Sequence, residues 1–258
     1  MIDLKTWGSA IKYYDAPDSS GERGLFYGPA GSGKTHLIGT SPRPFVVDID
    51  HGGKTLSDLH IPFVTIPQEK GAMALTRKVL LDFKDRQGLF AKGQPLEDRQ
   101  TLGFDGYSSL TDIVLWELSQ RPGSDKTASK GGTGFTDLTG LFKPEMDHWQ
   151  ALRVYLLELT NILEDIAYKG FNVIATATAF IKENEQVRET QGLPEIQGGF
   201  KDVVGRKYDY VIYLECKDGR YLAHTKKKGL FIAKVRRKLP DIIEDPTFEK
   251  LFGKSPLL

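Results

Sequence analysis

The chain has 258 residues, of which 40% are hydrophobic and 27% charged, and its formal net charge is +1. This length suffices for one sizeable α/β domain or two small ones, and the composition is that of an ordinary globular protein. The single cysteine, Cys216, excludes an intrachain disulfide framework and a thiolate metal cluster, which favours a cytoplasmic location. No segment has the roughly 20 apolar residues of a membrane helix, and the N-terminus lacks a signal-peptide core.

Short apolar runs alternate with helical patterns along the chain, which favours a largely parallel sheet covered by helices. One helix is predicted from Trp149 to Ile166, where apolar residues recur at spacings of three and four, and Gly170 closes it. The predicted strands are Gly24–Tyr27, Pro44–Ile49, Thr101–Asp105, Phe171–Ala177 and Tyr208–Leu214.

From Tyr208 onward the pattern is typical of a β-meander, with a turn at Asp218-Gly219 and a third strand in the letters LFIAKV. The prediction is therefore a single α/β domain over residues 1–258. Its core spans residues 22–215, and a β-hairpin extension and tail span 216–258.

The letters GPAGSGKT match the phosphate-loop pattern G-x-x-x-x-G-K-[ST] at every fixed position, between a predicted strand and a helix-compatible run. Glycines in such a loop let backbone N–H groups turn toward one anion. Lys34 would reach the terminal phosphates, and the Thr35 hydroxyl would bind Mg²⁺. An accidental glycine-rich turn is the alternative. The predicted ATP-binding residues are Gly28, Pro29, Ala30, Gly31, Ser32, Gly33, Lys34, Thr35 and His36.

Acidic residues end two predicted strands. Asp105 is placed as a Walker B aspartate that holds magnesium with Thr35, or else as a plain turn aspartate. No glutamate follows it, so the group that activates water must come from elsewhere, or hydrolysis is feeble. Asp48 and Asp50 lie at the end of the second strand, and Asp50, nearer the mouth, could deprotonate the attacking water. A cap or turn role before Gly52 and Gly53 is the alternative.

Together these residues resemble the RecA-like recombinase core, and specifically the small phage-type single-strand annealing ATPases of the Sak-four group. The resemblance runs from Leu25 to Pro240. It implies that Asp50 is the general base and that Thr178, better placed than Thr176, senses the terminal phosphate. It also implies a ring or filament in which Lys234 and Arg236 reach the nucleotide of a neighbouring subunit. From the residues alone, Thr178 could instead be an ordinary threonine at a strand end, and Lys234 and Arg236 could lie on a solvated basic strand edge.

In relatives, two loops bind single-stranded DNA, and the matching stretches here are Ser119–Glu145 and Ile181–Gly199. The first carries cations and phenylalanines, and an aromatic ring that stacks on a base contributes about 1–3 kcal/mol. Basic clusters at 226–228 and 236–238 could bind phosphate backbones in a salt-sensitive way, or could simply be solvated. The predicted DNA-binding residues are Arg121, Lys126, Lys130, Phe135, Lys182, Arg188, Lys226, Lys227, Lys228 and Arg237.

The expected function is ATP-dependent binding of single-stranded DNA in recombination or annealing, with ATP and Mg²⁺ as cofactors. A single-strand binding protein is a further expected partner, and no membrane is. One alternative is an ATP-binding switch, adaptor or helicase-loading protein. A small-molecule kinase is less favoured because SDKTASKGGTG offers no arginine-rich lid. A GTPase is disfavoured because no [NT]-K-x-D guanine-reading motif is present.

Overall fold

The structure is a computed structural model that describes residues 20–119, 144, 146–184, 189–196, 200 and 204–253. The strands in these ranges are β1 (Arg23–Gly28), β2 (Pro44–Asp48), β3 (Phe63–Thr65), β4 (Thr101–Asp105), β5 (Asn172–Asn184), β6 (Glu189–Pro194), β7 (Tyr210–Lys217), β8 (Arg220–His224) and β9 (Ile242–Glu244). The α-helices are α1 (Lys34–Gly39), α2 (Ala72–Asp85), α3 (Tyr107–Ser119), α4 (Met146–Tyr168) and α5 (Phe248–Phe252). Two 3₁₀ helices span Gly53–Leu59 and Gly88–Phe90.

The strands form one sheet in the order β3-β2-β4-β5-β1-β7-β8-β9, and β6 pairs with β5 outside this path. Every pair from β3 to β7 is parallel, whereas β7, β8 and β9 pair antiparallel. The predicted fold class, a mainly parallel α/β sheet with a C-terminal β extension, is confirmed. Parallel strands end at a common edge, so the phosphate loop after β1 and Asp105 at the end of β4 share that edge.

Helices cover both faces of the parallel strands, which explains why these strands are continuously apolar. Alternate residues of β1 point to opposite faces: Leu25 and Tyr27 pack with α2, α3 and α4, whereas Phe26 packs with α1 and α5. Gly103 interrupts the apolar run of β4 because a Cβ there would lie 2.4 Å from Cγ2 of Ile38. The glycine lets α1 approach the sheet. The predicted helix around residues 149–166 is present as α4 and buries its apolar stripe.

Three elements differ from the sequence predictions. β5 does not end at Ala177 but continues to Asn184, past the last pair with β1 at Gly28, and forms an antiparallel hairpin with β6. The letters LFIAKV form only isolated bridges, and β9 takes the place of the third antiparallel strand. β3 was not predicted because three residues give too short a pattern. Among the described residues, no helix is both long and apolar enough to cross a membrane.

Candidate nucleotide-binding site

The phosphate loop joins β1 to α1 through two glycines with positive φ. Gly31 has φ +75° and Gly33 has φ +86°, a region that other residues enter only with strain. The hydrogen bond from Leu37 N to Gly33 O, at 3.0 Å, opens the helix directly after the loop. A Cβ on Gly28 would lie 2.1 Å from the carbonyl oxygen of Leu214, so the start of the loop packs against β7. The glycines are therefore required both by backbone shape and by packing.

The Lys34 side chain lies over its own loop. Its Nζ donates to the carbonyl oxygens of Gly28 and Pro29, each at 2.9 Å. Burial lowers the pKa of Lys34, and the nearby carboxylates of Asp50 and Asp105 oppose this shift. The ammonium group is thus confined to the mouth of the loop, where the loop's own carbonyls are its acceptors.

Asp105 lies beneath the loop and is 1% exposed. Its two oxygens accept hydrogen bonds from the hydroxyls of Thr35, at 2.7 Å, and Thr176, at 2.5 Å. Burial raises the pKa of Asp105, although both hydrogen bonds act to lower it. A hydroxyl and a carboxylate are oxygen ligands of the kind that Mg²⁺ prefers. A Cβ on Gly52 would lie 3.4 Å from Thr35 Oγ1 and 3.7 Å from Asp105 Oδ2. The glycine leaves room beside both oxygens, so these residues fit a magnesium ion.

The two aspartates after β2 have different partners. Asp48 is 3% exposed and accepts hydrogen bonds from the backbone N–H groups of Gly52, at 2.9 Å, and Gly53, at 3.1 Å. The turn role that the sequence left open for Asp50 therefore belongs to Asp48. Asp50 instead lines the cleft beside the phosphate loop and accepts a hydrogen bond from the Ser109 hydroxyl.

The residue after Asp105 is a glycine for a steric reason. Gly106 has φ +115°, and a Cβ at this position would lie 2.4 Å from Oδ1 of Asp50. A glutamate directly after Asp105 would compete for the space that the Asp50 carboxylate occupies. The chain therefore has a glycine after Asp105 where the Asp50 carboxylate needs the space.

The two candidate sensor threonines of β5 have different surroundings. Thr176 is fully buried and is committed to Asp105 and to the N–H of Gly106, which it accepts at 3.0 Å. Thr178 lines the cleft, and its backbone N–H donates to Oγ of Ser108 at 2.9 Å. The Ser108 hydroxyl in turn donates to the carbonyl of Glu195 at 2.7 Å, which ties the cleft to the end of β6.

The cleft has a volume of about 490 Å³. Two of the residues that line the cleft, Thr55 and Tyr221, were not predicted from the sequence. Thr55 comes from a 3₁₀ helix and Tyr221 from β8, so only the folded arrangement brings them to the loop. The residues that line the cleft are Ala30, Gly31, Ser32, Gly33, Lys34, Thr35, His36, Asp50, Thr55, Thr178 and Tyr221.

The cations predicted to act across a subunit boundary lie away from this cleft. Lys234 Nζ donates to the carbonyl of Tyr208 at 2.7 Å, and Arg236 pairs with Asp209 at 2.8 Å. Neither side chain lines the cleft of its own subunit.

The predicted DNA-binding cations are largely neutralised where the structure describes them. Lys226 pairs with Asp241, Lys228 with Glu215 and Arg237 with Glu22, while Lys227 is exposed. Three of the cations in the two predicted basic clusters therefore have carboxylate partners in the same chain. The predicted Arg121, Lys126, Lys130, Phe135 and Arg188, and the side chain of Lys182, lie outside the described part of the structure.

Comparisons with known proteins place the chain in a family. The family model AAA_24, described as an AAA domain, matches residues 20–237. No curated protein matches the chain. A similar solved structure is that of a KaiC-like protein from the hyperthermophilic archaeon Pyrococcus horikoshii OT3, at 11% identity and a TM-score of 0.44, covering 89% of this chain and 91% of that one. Because the family model spans well over half of the sequence, this chain belongs to the AAA_24 family of AAA domains and is a P-loop ATPase domain.

Proposed function

We propose that the domain hydrolyses Mg-ATP and couples this cycle to binding of single-stranded DNA, in recombination or annealing of the phage type. The observation that supports hydrolysis is the convergence of three functions in one cleft. Lys34, Thr35 and Asp50 line the cleft, and Asp105, buried beneath the loop, accepts a hydrogen bond from Thr35, so the site combines a cation, a pair of oxygens and a second carboxylate. A site that only held a nucleotide would need no second carboxylate.

The proposed mechanism assigns one role to each side chain. Lys34 exchanges the carbonyls of its own loop for phosphate oxygens, while Thr35 and Asp105 hold the metal. Bound Mg²⁺ neutralises charge on the phosphate oxygens. Asp50, oriented by Ser109, accepts the proton of the attacking water. Thr178 contacts the terminal phosphate from β5, the strand that pairs with β1.

A neighbouring subunit would complete the site with Lys234 and Arg236, in a ring or filament. The position of Arg236 supports this part of the proposal because its side chain is 62% exposed and lies outside its own cleft. A guanidinium group delivered across an interface would stabilise the charge that develops on the transferred phosphoryl group.

The DNA-binding part rests on the glycine- and lysine-rich stretch between α3 and α4 and on exposed cations such as Lys227. One observation favours a second candidate, an ATP-driven switch or adaptor that does not bind DNA. Lys226, Lys228 and Arg237 are engaged by carboxylates of the same chain, which reduces their attraction for a phosphate backbone.

The test measures ATP binding and ATP hydrolysis, with and without single-stranded DNA, across a salt series. Lys34→Ala should lose both binding and hydrolysis. Asp50→Asn should bind ATP normally but hydrolyse it about 10²–10⁴-fold more slowly, as expected on loss of a general base. The control Asp58→Asn changes an exposed aspartate that lies in the same 3₁₀ helix as Thr55 but does not line the cleft, and it should leave both quantities unchanged.

The salt series separates the two candidate functions. DNA-stimulated hydrolysis that declines steeply as salt rises would support the DNA-coupled ATPase. A rate of hydrolysis that does not change when oligonucleotides are added, even at low salt, would favour the switch or adaptor. Undiminished turnover in Asp50→Asn would show that this carboxylate is not the base.

A further inference from the structure

An exposed aromatic ring stands beside the phosphate loop. Tyr221, on β8, is 41% exposed and lines the cleft. Its Cδ1 lies 3.0 Å, and its Cε1 3.4 Å, from the position that a Cβ on Gly33 would take. The ring therefore borders the loop directly at Gly33, and a Cβ at Gly33 would press against it.

The backbone under this ring is held on both sides. Tyr221 pairs with Cys216 of β7, and its carbonyl accepts a hydrogen bond from Asp245 N at 2.8 Å. Within the described part of the chain, the ring stacks on no other aromatic ring and its hydroxyl makes no hydrogen bond. Other large tyrosines, such as Tyr27 and Tyr208, are fully buried. Tyr221 therefore presents a partly exposed ring to the cleft from a strand whose backbone is held in place.

We propose that Tyr221 is the platform on which the nucleobase of the bound nucleotide stacks. The phosphates belong at Lys34 and at the Thr35–Asp105 pair, and the cleft continues past Gly33 to this ring. Its volume of about 490 Å³ lies within the ~300–1,000 Å³ typical of sites that enclose a whole small ligand. This inference rests on the proposed function, since it takes the occupant to be a nucleoside triphosphate.

The platform has a consequence for base selectivity. Within the described part of the chain, the residues that line the cleft include one carboxylate, Asp50, and no amide side chain that could read the edges of a base. Stacking depends on the planar face that all bases share, so the domain should accept ATP and GTP with similar affinity.

The experiment compares the affinities of the whole chain for Mg-ATP, Mg-GTP and Mg-tripolyphosphate, which has no base. Tyr221→Ala should weaken binding of ATP and GTP about tenfold, in line with losses on removal of a stacking side chain, and leave tripolyphosphate unchanged. Tyr221→Phe should retain the wild-type affinities. Tyr168→Ala removes another exposed tyrosine, outside the cleft lining, and should change none of them.

Unchanged ATP affinity in Tyr221→Ala, or an equal loss for tripolyphosphate, would overturn the platform, provided that thermal unfolding matches the wild type. Lys34→Ala distinguishes this failure from failure of the proposed function. If Lys34→Ala loses both ATP and tripolyphosphate while Tyr221→Ala loses neither, the phosphate site stands and only the base platform is wrong. If the wild type binds none of the three ligands, both proposals fail.

Discussion

Three aspartates at the ends of neighbouring strands have different contacts, and those contacts separate their roles. Asp48 accepts from two backbone N–H groups and fixes a turn, whereas Asp105 accepts from two threonine hydroxyls beneath the loop. Asp50 accepts from the Ser109 hydroxyl and lies in the cleft. The sequence favoured Asp50 over Asp48 as the candidate base because Asp50 lies nearer the mouth, and the hydrogen-bond partners now distinguish the two carboxylates.

Gly106 offers a test of how tightly the Asp50 carboxylate is placed. The change Gly106→Ala introduces a Cβ 2.4 Å from Oδ1 of Asp50, at a position with φ +115°. The carboxylate must move, so both stability and turnover should fall. We expect a loss of at least about 1 kcal/mol in the free energy of unfolding, the usual scale for alanine at positive φ, plus the cost of the clash. Denaturant unfolding and ATP hydrolysis measure the two effects.

Gly93→Ala is the matched control because Gly93 has φ +79° but no heavy atom within 4 Å of an added Cβ. This variant should be destabilised only by the cost of placing alanine at a positive φ, and its rate of ATP hydrolysis should be unchanged. Equal losses of stability and turnover in the two variants would mean that the Asp50 carboxylate is not confined by this contact.

The sequence predicted the strands and the helix whose apolar residues form the hydrophobic core. β1, β2, β4 and α4 were found because buried strands and helix stripes must be apolar. The β5–β6 hairpin continues beyond the last pair with β1, and it was missed because the stretch that forms it is rich in polar residues and shows no alternating apolar pattern.

The candidate site was predictable only in part. The phosphate loop and Asp105 carry a pattern that the chemistry fixes in sequence. Tyr221 and Ser109 reach the site through strand pairing and helix placement, which no local pattern records.

The segment after β8 runs along β7 and is held there by side chains instead of a regular ladder. Phe231 stacks on Tyr213 with 3.8 Å between ring centroids and 8° between ring planes. Lys228 and His224 both contact the carboxylate of Glu215. Among the described residues, one pair of backbone hydrogen bonds, between Val211 and Lys234, joins this segment to β7. The segment carries Lys234 and Arg236, so its attachment to β7 positions both cations.

Glu215→Gln tests this attachment through its pH dependence. Burial raises the pKa of Glu215, but hydrogen bonds from Lys228 and His224 lower it, and the net pKa lies below the ordinary 4.5. The ionised group therefore stabilises the fold above pH 4.5, and this stabilisation is lost as pH falls through the lowered pKa. At neutral pH we expect the variant to lose about 1.5 kcal/mol of unfolding free energy, as for hydrogen bonds to a charged group.

The measurement is denaturant unfolding of wild type and variant from neutral pH down to pH values below 4. The difference between the two proteins should shrink on acidification. Glu249→Gln, at an exposed position on α5, is the control and should give no comparable difference. A difference for Glu215→Gln that persists at low pH would indicate that the side chain acts through packing and not through its charge.

In the whole molecule, two sets of groups that would act together in phosphoryl transfer lie at opposite edges of the sheet. The loop, Asp105 and Asp50 lie at the C-terminal edge of the parallel strands. Arg236 pairs with Asp209, just before the start of β7, and therefore lies at the opposite edge. A single copy cannot bring Arg236 to its own nucleotide without rearrangement of the fold. If Arg236 takes part in the reaction, it must serve a second copy.

Mixing two inactive variants tests whether Arg236 acts between copies. Arg236→Ala keeps Asp50, and Asp50→Asn keeps Arg236, so each variant alone should be nearly inactive. Arg236→Ala should fold normally because Asp209 retains its contact with Arg23. In an equimolar mixture, about one quarter of head-to-tail neighbours would pair an intact Asp50 with an intact Arg236. Hydrolysis should therefore recover to about a quarter of the wild-type rate, as measured by phosphate release with Mg-ATP present.

A second mixture is the control for this complementation. Lys34→Ala and Asp50→Asn both damage the cleft of their own subunit, so no pairing of these two variants creates an intact site, and activity should stay at the level of the separate variants. Recovery in both mixtures would reveal exchange or contamination and not a shared site. No recovery in the first mixture, although the two variants assemble together, would place Arg236 outside the reaction. The ATPase would then depend on the groups of a single cleft.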